Sequence, residues 1–256
     1  MPTWNADQYL RFADQRTRPC RDLAAAVALD GPKRIVDLGC GPGNSTAVLA
    51  ARWPEAEVEG IDSSAEMIAA ARRAVPAGKW TVGDIAAWTA PEPVDLVFSN
   101  AALHWVPDHA GLYPRLLAQV APGGALAVQV PINLDAPAHQ AMRELAGGPA
   151  WRGFFPQRVR EWHVFPREVY YDFLAKQASH IDLWETEYLH VLDGTEAIVE
   201  WYKGTGLRPF LDVLPGEGER GRFLADYGEA LRPFYPAQAD GKVLFPFKRL
   251  FLIAYR

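Results

Sequence analysis

The sequence predicts an α/β fold in which helices cover both faces of a doubly wound, mostly parallel sheet of seven strands. Short apolar runs alternate with stretches of helical periodicity along the first half of the chain, as in the strand–helix–strand units that build parallel sheets. A glycine-rich turn at 39–43 follows the first apolar run. The next two apolar runs are each followed by an aspartate. Open α/β sheets place ligand-binding groups at the carboxyl ends of their strands.

Residues 7–29 alternate charged and apolar groups at helical spacing and end at the breakers Asp30, Gly31 and Pro32. They predict an N-terminal helix that packs across the ligand site. In the remainder of the first half, the pattern predicts strands at 34–38, 58–62, 80–82, 94–99 and 125–130, and helices at 44–52, 64–75 and 110–120.

The second half of the chain predicts an aromatic-rich cap added to a single domain of residues 1–256. Two insertions, approximately 131–180 and 195–240, would form this cap; the first is rich in aromatic residues and prolines. Helices are predicted at 195–203 and 223–231, and strands at 181–192 and 242–255 complete the sheet. Pro246 predicts that the last strand begins at an edge or bulge, because proline cannot donate to a sheet.

The composition is that of an ordinary globular protein, with 256 residues, 49% hydrophobic and 22% charged. No apolar run approaches the roughly 18 residues of a membrane helix, and the first residues lack the features of a signal peptide. The two cysteines, Cys20 and Cys40, support neither a disulfide framework nor a cysteine-based zinc site. We therefore expect a soluble, cytoplasmic protein without a metal.

The net charge of −5 provides no basic surface of the kind that binds nucleic acid. The predicted partner is a small molecule, and an anionic one would need arginines close to its site. The sequence gives no indication of oligomeric state.

The segment from Asp37 to Asn44, Asp-Leu-Gly-Cys-Gly-Pro-Gly-Asn, lies between a predicted strand and helix. Its glycines allow a tight turn and a close approach to a ligand. A dinucleotide site has the spacing G-x-G-x-x-G, whereas the third glycine here comes one position early and an acid precedes the first. This spacing favours a ligand without phosphates. The competing interpretation is that the glycines only form a turn and Asp37 caps the next helix.

Asp62 ends the second strand about 20 residues beyond the glycine turn, where a carboxylate can accept both hydroxyls of a ribose. Its alternative role is to cap the helix that starts near Ser64. Asp84 and Ile85 follow the third strand and would meet an adenine edge. Met67 would pack against the adenine face or belong to the core.

These residues resemble the motifs of the class I S-adenosylmethionine-dependent methyltransferases, whose sheet is Rossmann-like and whose first motif is an acid followed by G-x-G-x-G. The resemblance places Asp62 at the ribose and Asp84 at the adenine. It implies S-adenosylmethionine as cofactor and S-adenosylhomocysteine as product. The implied cofactor-binding residues are Arg16, Asp37, Gly39, Gly41, Asn44, Asp62, Ser63, Met67, Asp84, Ile85, Asn100 and Ala101.

Within that class, nearly the whole chain resembles the trans-aconitate methyltransferases. The segments that carry this resemblance are 4–5, 9–10, 16–19, 37–45, 60–64, 100–101, 105–109, 126–129, 205–209 and 249–251. Two segments depart from the family: His104 replaces an expected glutamine, and Ile132 lies in a Val-Pro-Ile-Asn segment where the family tends to have Met-Pro-Asp-Asn. The resemblance implies esterification of one carboxylate of trans-aconitate, a small anionic substrate.

A carboxylate acceptor is already ionised at neutral pH, so its methylation requires no general base. The protein must instead position the reactants and exclude water, which suits an aromatic cap. Arginine favours carboxylates because its guanidinium is a bidentate donor. The predicted acceptor-binding residues are Arg208, Arg249, His104 and Tyr171, with Arg16 and Arg18 as further candidates. The alternative interpretation of the arginines is that they are surface charges or belong to structural ion pairs. The alternative for His104 is that it is a buried core residue.

Three other functions are compatible with parts of the sequence. A methyltransferase for another small carboxylic acid or a natural-product hydroxyl would fit the departures at His104 and Ile132. An NAD-dependent oxidoreductase would use the glycine turn, although its spacing argues against this. A catalytically inert module would bind the cofactor as a sensor.

Overall fold

The computed structural model describes residues 12–156, 159 and 162–256. The first part of the predicted N-terminal helix, residues 7–11, lies outside this range, as do the segments at 4–5 and 9–10. Among the described residues, seven strands form one sheet in the order β3-β2-β1-β4-β5-β7-β6. The strands are β1 (Arg34–Leu38), β2 (Glu57–Asp62), β3 (Lys79–Val82), β4 (Val94–Asn100), β5 (Val120–Pro131), β6 (His180–Leu192) and β7 (Val243–Tyr255).

The first five strands are parallel, whereas β7 lies between β5 and β6 and is antiparallel to both. The described helices are α1 (Ala13–Ala26), α2 (Asn44–Arg52), α3 (Ala65–Ala74), α4 (His109–Ala118), α5 (Pro137–Gly147), α6 (Arg167–Leu174), α7 (Thr195–Lys203), α8 (Arg208–Leu211) and α9 (Glu217–Leu231), with a 3-10 turn at Leu103–Trp105. Within the described chain, no helix has both the length and the apolar character to cross a membrane.

The central strands are apolar along their length because both faces of the sheet are covered. Leu96 and Phe98 pack with α1 and α2 on one face, while Val97 and Leu126 pack with α4 on the other. These two cores, on opposite faces, confirm the predicted doubly wound α/β fold.

A third core lies in the cap, between α5, α7, α8, α9 and the first residues of β7. Its buried aromatic side chains include Trp151, Tyr202, Phe223 and Phe245. Helix α6 is an exception within the first predicted insertion, because its Tyr170 packs against Tyr113 of α4, with ring centroids 5.0 Å apart. This part of the insertion therefore covers the sheet layer rather than the cap core.

The last strand extends beyond its β5 partner. Residues 249–255 of β7 pair with both β5 and β6, whereas 243–248 pair with β6 but not with β5. Val243 also forms an isolated bridge with Ala237. Pro246 lies in this extension, opposite Leu189. A proline is tolerated there because one side of the strand has no ladder partner in the described sheet, as expected for a strand that begins at an edge.

Candidate cofactor and acceptor site

A cavity of about 580 Å³ lies at the carboxyl ends of the parallel strands. It adjoins β1 and β4, where the strand order reverses, which is the usual ligand position in open α/β sheets. The residues that line it are Gly39, Gly41, Pro42, Asp62, Ser63, Ser64, Met67, Asp84, Ile85, Ala86, Asn100, Ala101, Ala102, Trp105, Val106, Pro107, Arg208, Pro209 and Asp212.

The glycine turn forms one wall of this cavity. Gly39 has a φ of +75° and donates its N–H to the carbonyl of Ile61 at 2.7 Å. A Cβ at this position would overlap the Cβ of Ala102, so both the backbone conformation and the close approach require glycine. Gly41 also has a positive φ, +55°, but a Cβ there would meet open space.

Asp62 is held by two backbone donors. Its Oδ2 accepts from the N–H of Gly41 at 3.0 Å and its Oδ1 from the N–H of Ser64 at 2.8 Å. Burial raises the pKa of Asp62, and these two hydrogen bonds oppose the rise. The N-cap of α3 is Ser64, whose Oγ accepts from the N–H of Met67 at 3.3 Å, so Asp62 is not the helix cap. Its position in the cavity wall instead fits a ribose acceptor.

Asp37 lies behind the glycine turn and is fully buried. Its Oδ2 accepts from the hydroxyls of Ser45 at 2.6 Å and Thr46 at 2.7 Å, and its Oδ1 has no hydrogen-bond partner among the described residues. Burial raises its pKa to about 6, opposed by the two hydroxyls. Asp37 therefore ties the end of β1 to the first turn of α2 and fixes the turn between them.

The ends of β3 and β4 complete the cofactor wall. Asp84 accepts from the N–H of Ala86 through Oδ1 at 2.9 Å. Ala101 has a φ of +55° and is the one non-glycine residue with positive φ in the described chain. It is anchored by donation of its N–H to the carbonyl of Gln129 at 2.9 Å. A backbone strained in this way is frequent at ligand sites.

Nine of the twelve predicted cofactor-binding residues line the cavity: Gly39, Gly41, Asp62, Ser63, Met67, Asp84, Ile85, Asn100 and Ala101. Arg16 and Asn44 line a smaller adjoining cavity, which shares Gly39, Pro42 and Asn100 with the first. The Nη2 of Arg16 donates to the carbonyl of Trp201 at 3.1 Å. Asp37 lines neither cavity, so its contribution is indirect.

Arg208 is the predicted acceptor-binding residue that the structure places in the main cavity. It is half-buried at the start of α8. Burial lowers its pKa, while Asp212 and Glu66 raise it. Arg208 thus places a positive charge in the wall of the same cavity as Asp62.

His104 and Arg249 lie deeper, outside the residues that line the cavity. Each is buried, with exposed fractions of 3% and 4%. Burial lowers the pKa of His104 well below its usual value, and the charge of Arg249 adds to this effect. The Nη1 of Arg249 donates to Oε1 of Gln129 at 3.1 Å, and its guanidinium carbon lies 4.7 Å from the ring centroid of Phe247.

The structure does not bring Tyr171 to the cavity, which corrects its prediction as an acceptor residue. Its side chain is 50% exposed, because it lies on the outward face of α6. The neighbouring Tyr170 occupies the inward face, where its hydroxyl lies 2.9 Å from Nδ1 of His109. The second ring nitrogen of His109 lies 2.9 Å from the carbonyl of Leu103, so this pair supports the 3-10 turn that carries His104 and Trp105.

Sequence reasoning missed several residues in the cavity wall. Trp105, Val106 and Pro107 line it, but in the sequence only the family resemblance of segment 105–109 points to them. Asp212 lines it as well and follows Arg208 by one helical turn. As for metals, the described residues contain no group of three or more histidine, cysteine, aspartate or glutamate side chains able to hold an ion.

Comparison with known proteins gives the family. Residues 35–124 match the family model described as a methyltransferase domain. A trans-aconitate 2-methyltransferase of Azoarcus sp. (strain BH72) is 50% identical over 261 residues, with both chains fully covered. One from Rhodopseudomonas palustris (strain BisB18) is 48% identical over 257 residues, again with full coverage of both.

Among solved structures, the chain is similar to phosphoethanolamine N-methyltransferase 2 of Haemonchus contortus, in complex with phosphomonomethylethanolamine and S-adenosylhomocysteine. The TM-score is 0.60 at 14% identity, covering 98% of this chain and 56% of that one. This likeness supports the fold. From the cavity, the domain match and the full-length relatives together, we conclude that the chain belongs to the trans-aconitate 2-methyltransferase family, enzymes of the S-adenosylmethionine-dependent methyltransferase class.

Proposed function

We propose that this protein methylates one carboxylate of trans-aconitate. A carboxylate oxygen takes the methyl group of S-adenosylmethionine, and the products are a monomethyl ester and S-adenosylhomocysteine. The observation that carries the proposal is a single cavity that contains both the oriented carboxylate of Asp62 and the cation of Arg208, in a chain about 50% identical to relatives named for this reaction.

The cofactor half of the cavity has the groups that a nucleoside requires. Asp62 presents a carboxylate whose orientation is fixed by two N–H groups, as suits the hydroxyls of a ribose. Met67 and Ile85 supply apolar surface for a purine, and Asp84 lies beside them. Gly39 lets the backbone come close to the ligand. Bound there, S-adenosylmethionine supplies an electrophilic methyl group.

The acceptor half is suited to an anion. The carboxylates of the acceptor are ionised at neutral pH, so the protein's task is to hold them and exclude water. Arg208 supplies a half-buried positive charge, which acts more strongly there than in bulk water. Trp105 adds an aromatic wall. These groups indicate that the protein accelerates methyl transfer by positioning the reactants rather than by acid–base catalysis.

The test is release of S-adenosylhomocysteine with trans-aconitate, compared with cis-aconitate, citrate, isocitrate and several monocarboxylic acids at equal concentration. The proposal predicts the highest kcat/KM for trans-aconitate. A preference for a monocarboxylic acid or a phenol would contradict it and would favour the departures at His104 and Ile132 as determinants of another acceptor.

We also propose that residues 1–256 form one methyltransferase domain located in the cytoplasm. The cap and the sheet share β7, because Phe245 belongs to the cap core while Leu252 belongs to a sheet core. Such a shared strand makes separate unfolding of the two parts costly. Cys20 and Cys40 are both buried and unpaired, as is common in a reducing compartment. Cooperative thermal unfolding and cell fractionation test these two proposals.

A further inference from the structure

Four buried side chains in and beside the cap core each carry a polar atom without a hydrogen-bond partner among the described residues: His104, His139, Trp162 and Tyr202. The atoms are Nδ1 of His104, Nε2 of His139, Nε1 of Trp162 and Oη of Tyr202. All four residues are more than nine-tenths buried. We refer to them as the buried donor cluster.

The four rings form one connected group. The ring centroids of His104 and Trp162 are 5.0 Å apart, those of His139 and Trp162 are 4.5 Å apart, and those of His139 and Tyr202 are 5.0 Å apart. These residues come from the 3-10 turn, α5, the segment before α6, and α7. The four rings therefore lie together in one region of the interior.

The polar groups of the cluster favour a ligand that carries several hydrogen-bond acceptors. The indole N–H of Trp162 can only donate, and the hydroxyl of Tyr202 donates readily. Burial lowers the pKa of His139 to about 3, so its ring is neutral and can offer one N–H. Leaving such groups unpaired in the interior lowers the stability of a protein. A ligand with several carboxylate oxygens would pair them.

The cluster adjoins the main cavity on the side of Arg208. Trp105 lines the cavity, and its ring centroid lies 5.1 Å from that of His104 and 6.2 Å from that of Trp162. A Cβ on Gly206 would lie 3.0 Å from Tyr202 and 3.2 Å from His139, so this glycine packs on both rings two residues before Arg208. Trp105 and the Gly206–Arg208 segment thus separate the cluster from the cavity.

We infer that the buried donor cluster is the subsite that binds the carboxylates of a small polycarboxylic acceptor that are not methylated. This inference rests on the proposed function and extends it by assigning His139, Trp162 and Tyr202 to acceptor recognition. Trp105 and Arg208, which line the main cavity, lie at the boundary between the two regions.

The decisive variant is Tyr202→Phe, which removes one hydroxyl and keeps the ring. We expect its KM for trans-aconitate to rise about tenfold or more, because a hydrogen bond to a charged group is lost. The affinity for S-adenosylmethionine, measured by calorimetry, stays unchanged. The Tm without ligand stays equal or rises, since an unpaired buried hydroxyl has been removed. Trp162→Phe, which removes an indole N–H, is expected to raise the same KM.

Tyr227→Phe is the matched control. Tyr227 is equally buried in the cap core, but its hydroxyl donates to the carbonyl of Ala138 at 3.1 Å. The control should therefore lower Tm and leave KM for trans-aconitate unchanged. The opposite effects of the two hydroxyl deletions distinguish a ligand-binding role from a structural one.

A second readout does not depend on turnover. With S-adenosylhomocysteine present, trans-aconitate should raise the Tm of the wild type by mass action and raise that of Tyr202→Phe much less. Equal KM and equal Tm rises in wild type and Tyr202→Phe would overturn the subsite, as would a lower unliganded Tm with unchanged KM. If the wild type turned over no trans-aconitate while citrate still raised its Tm more than that of Tyr202→Phe, the proposed reaction would fail and the subsite would stand.

Discussion

Asp62 accepts a hydrogen bond from the backbone N–H of Gly41 at 3.0 Å, which joins the end of β2 to the glycine turn after β1. Its second oxygen is fixed by the N–H of Ser64 at 2.8 Å. The carboxylate is therefore oriented in the cavity wall before a ligand arrives. Because a preorganised group loses little freedom on binding, this arrangement favours affinity for the cofactor.

Asp62→Asn should weaken binding of S-adenosylmethionine by about 10- to 100-fold, because hydrogen bonds to a charged acceptor are replaced by weaker ones. Calorimetric titration measures the change in Kd. Asp95→Asn is the matched control: Asp95 also accepts from two backbone donors, the N–H groups of Lys33 at 2.7 Å and Arg34 at 2.9 Å, but it lies at the start of β4. An equal loss of affinity in both variants would contradict a ligand-binding role for Asp62.

Gly39→Ala should destabilise the protein more than Gly31→Ala. Both glycines have positive φ, +75° and +61°, so alanine is strained at either position by roughly 1–2 kcal/mol. At Gly31 a Cβ has no atom within 4 Å, whereas at Gly39 it would overlap Ala102. Overpacking adds about 1–3 kcal/mol. Urea unfolding measures the difference. Equal free energies of unfolding for the two variants would contradict the prediction, because they would show that the glycine turn relieves the overlap with Ala102 without loss of stability.

Arg208→Gln should raise the KM for trans-aconitate by about tenfold or more while leaving the Kd for S-adenosylmethionine nearly unchanged, because a charge-assisted contact to the acceptor is removed. The control is Arg222→Gln. Arg222 is an exposed cap residue whose guanidinium carbon lies 5.1 Å from the ring centroid of Trp151, and it does not line the cavity. If the two substitutions changed KM alike, general attraction of the anion would explain the effect instead.

The stability of the protein should depend on the ionisation of Asp37. Burial raises its folded pKa from 3.8 to about 6, so the folded state binds a proton more strongly than the unfolded state. This contribution to stability is fully present below the unfolded pKa and is lost as pH rises through about 6. Relative to Asp37→Asn, the wild type should lose about 2 kcal/mol of unfolding free energy between pH 4 and pH 7. Urea unfolding of both proteins measures this, and a pH-independent difference would contradict it.

The parallel half of the fold was predictable because its signals are local. The strand 34–38 and the helix 44–52 have the predicted bounds, since glycines separate a buried apolar run from an amphipathic one. Strand β5 differs, beginning at Val120 rather than at residue 125. Val120 pairs with Val94 of β4, although the Ala-Pro-Gly-Gly sequence after it resembles a loop. Pairing with a distant strand determined this boundary.

The acceptor side was less predictable because it depends on which side chains the cap brings together. Tyr170 and Tyr171 are adjacent in the chain, yet one is buried and the other exposed, which only the packing of α6 on α4 decides. His139, Trp162 and Tyr202 belong to segments that lie far apart in the sequence, and no spacing links them. Helices α5 and α6 were not predicted, since aromatic and proline residues around them obscure the helical period.

The most direct test of the central claim is transfer of a labelled methyl group. The protein is incubated with trans-aconitate and S-adenosylmethionine that carries a ¹³C-methyl group, and the products are observed by NMR. The proposed reaction predicts one labelled methyl ester on aconitate for each S-adenosylhomocysteine released. A label that remains on the cofactor, or that appears on a different acceptor only, would contradict the assignment of this cavity to trans-aconitate esterification.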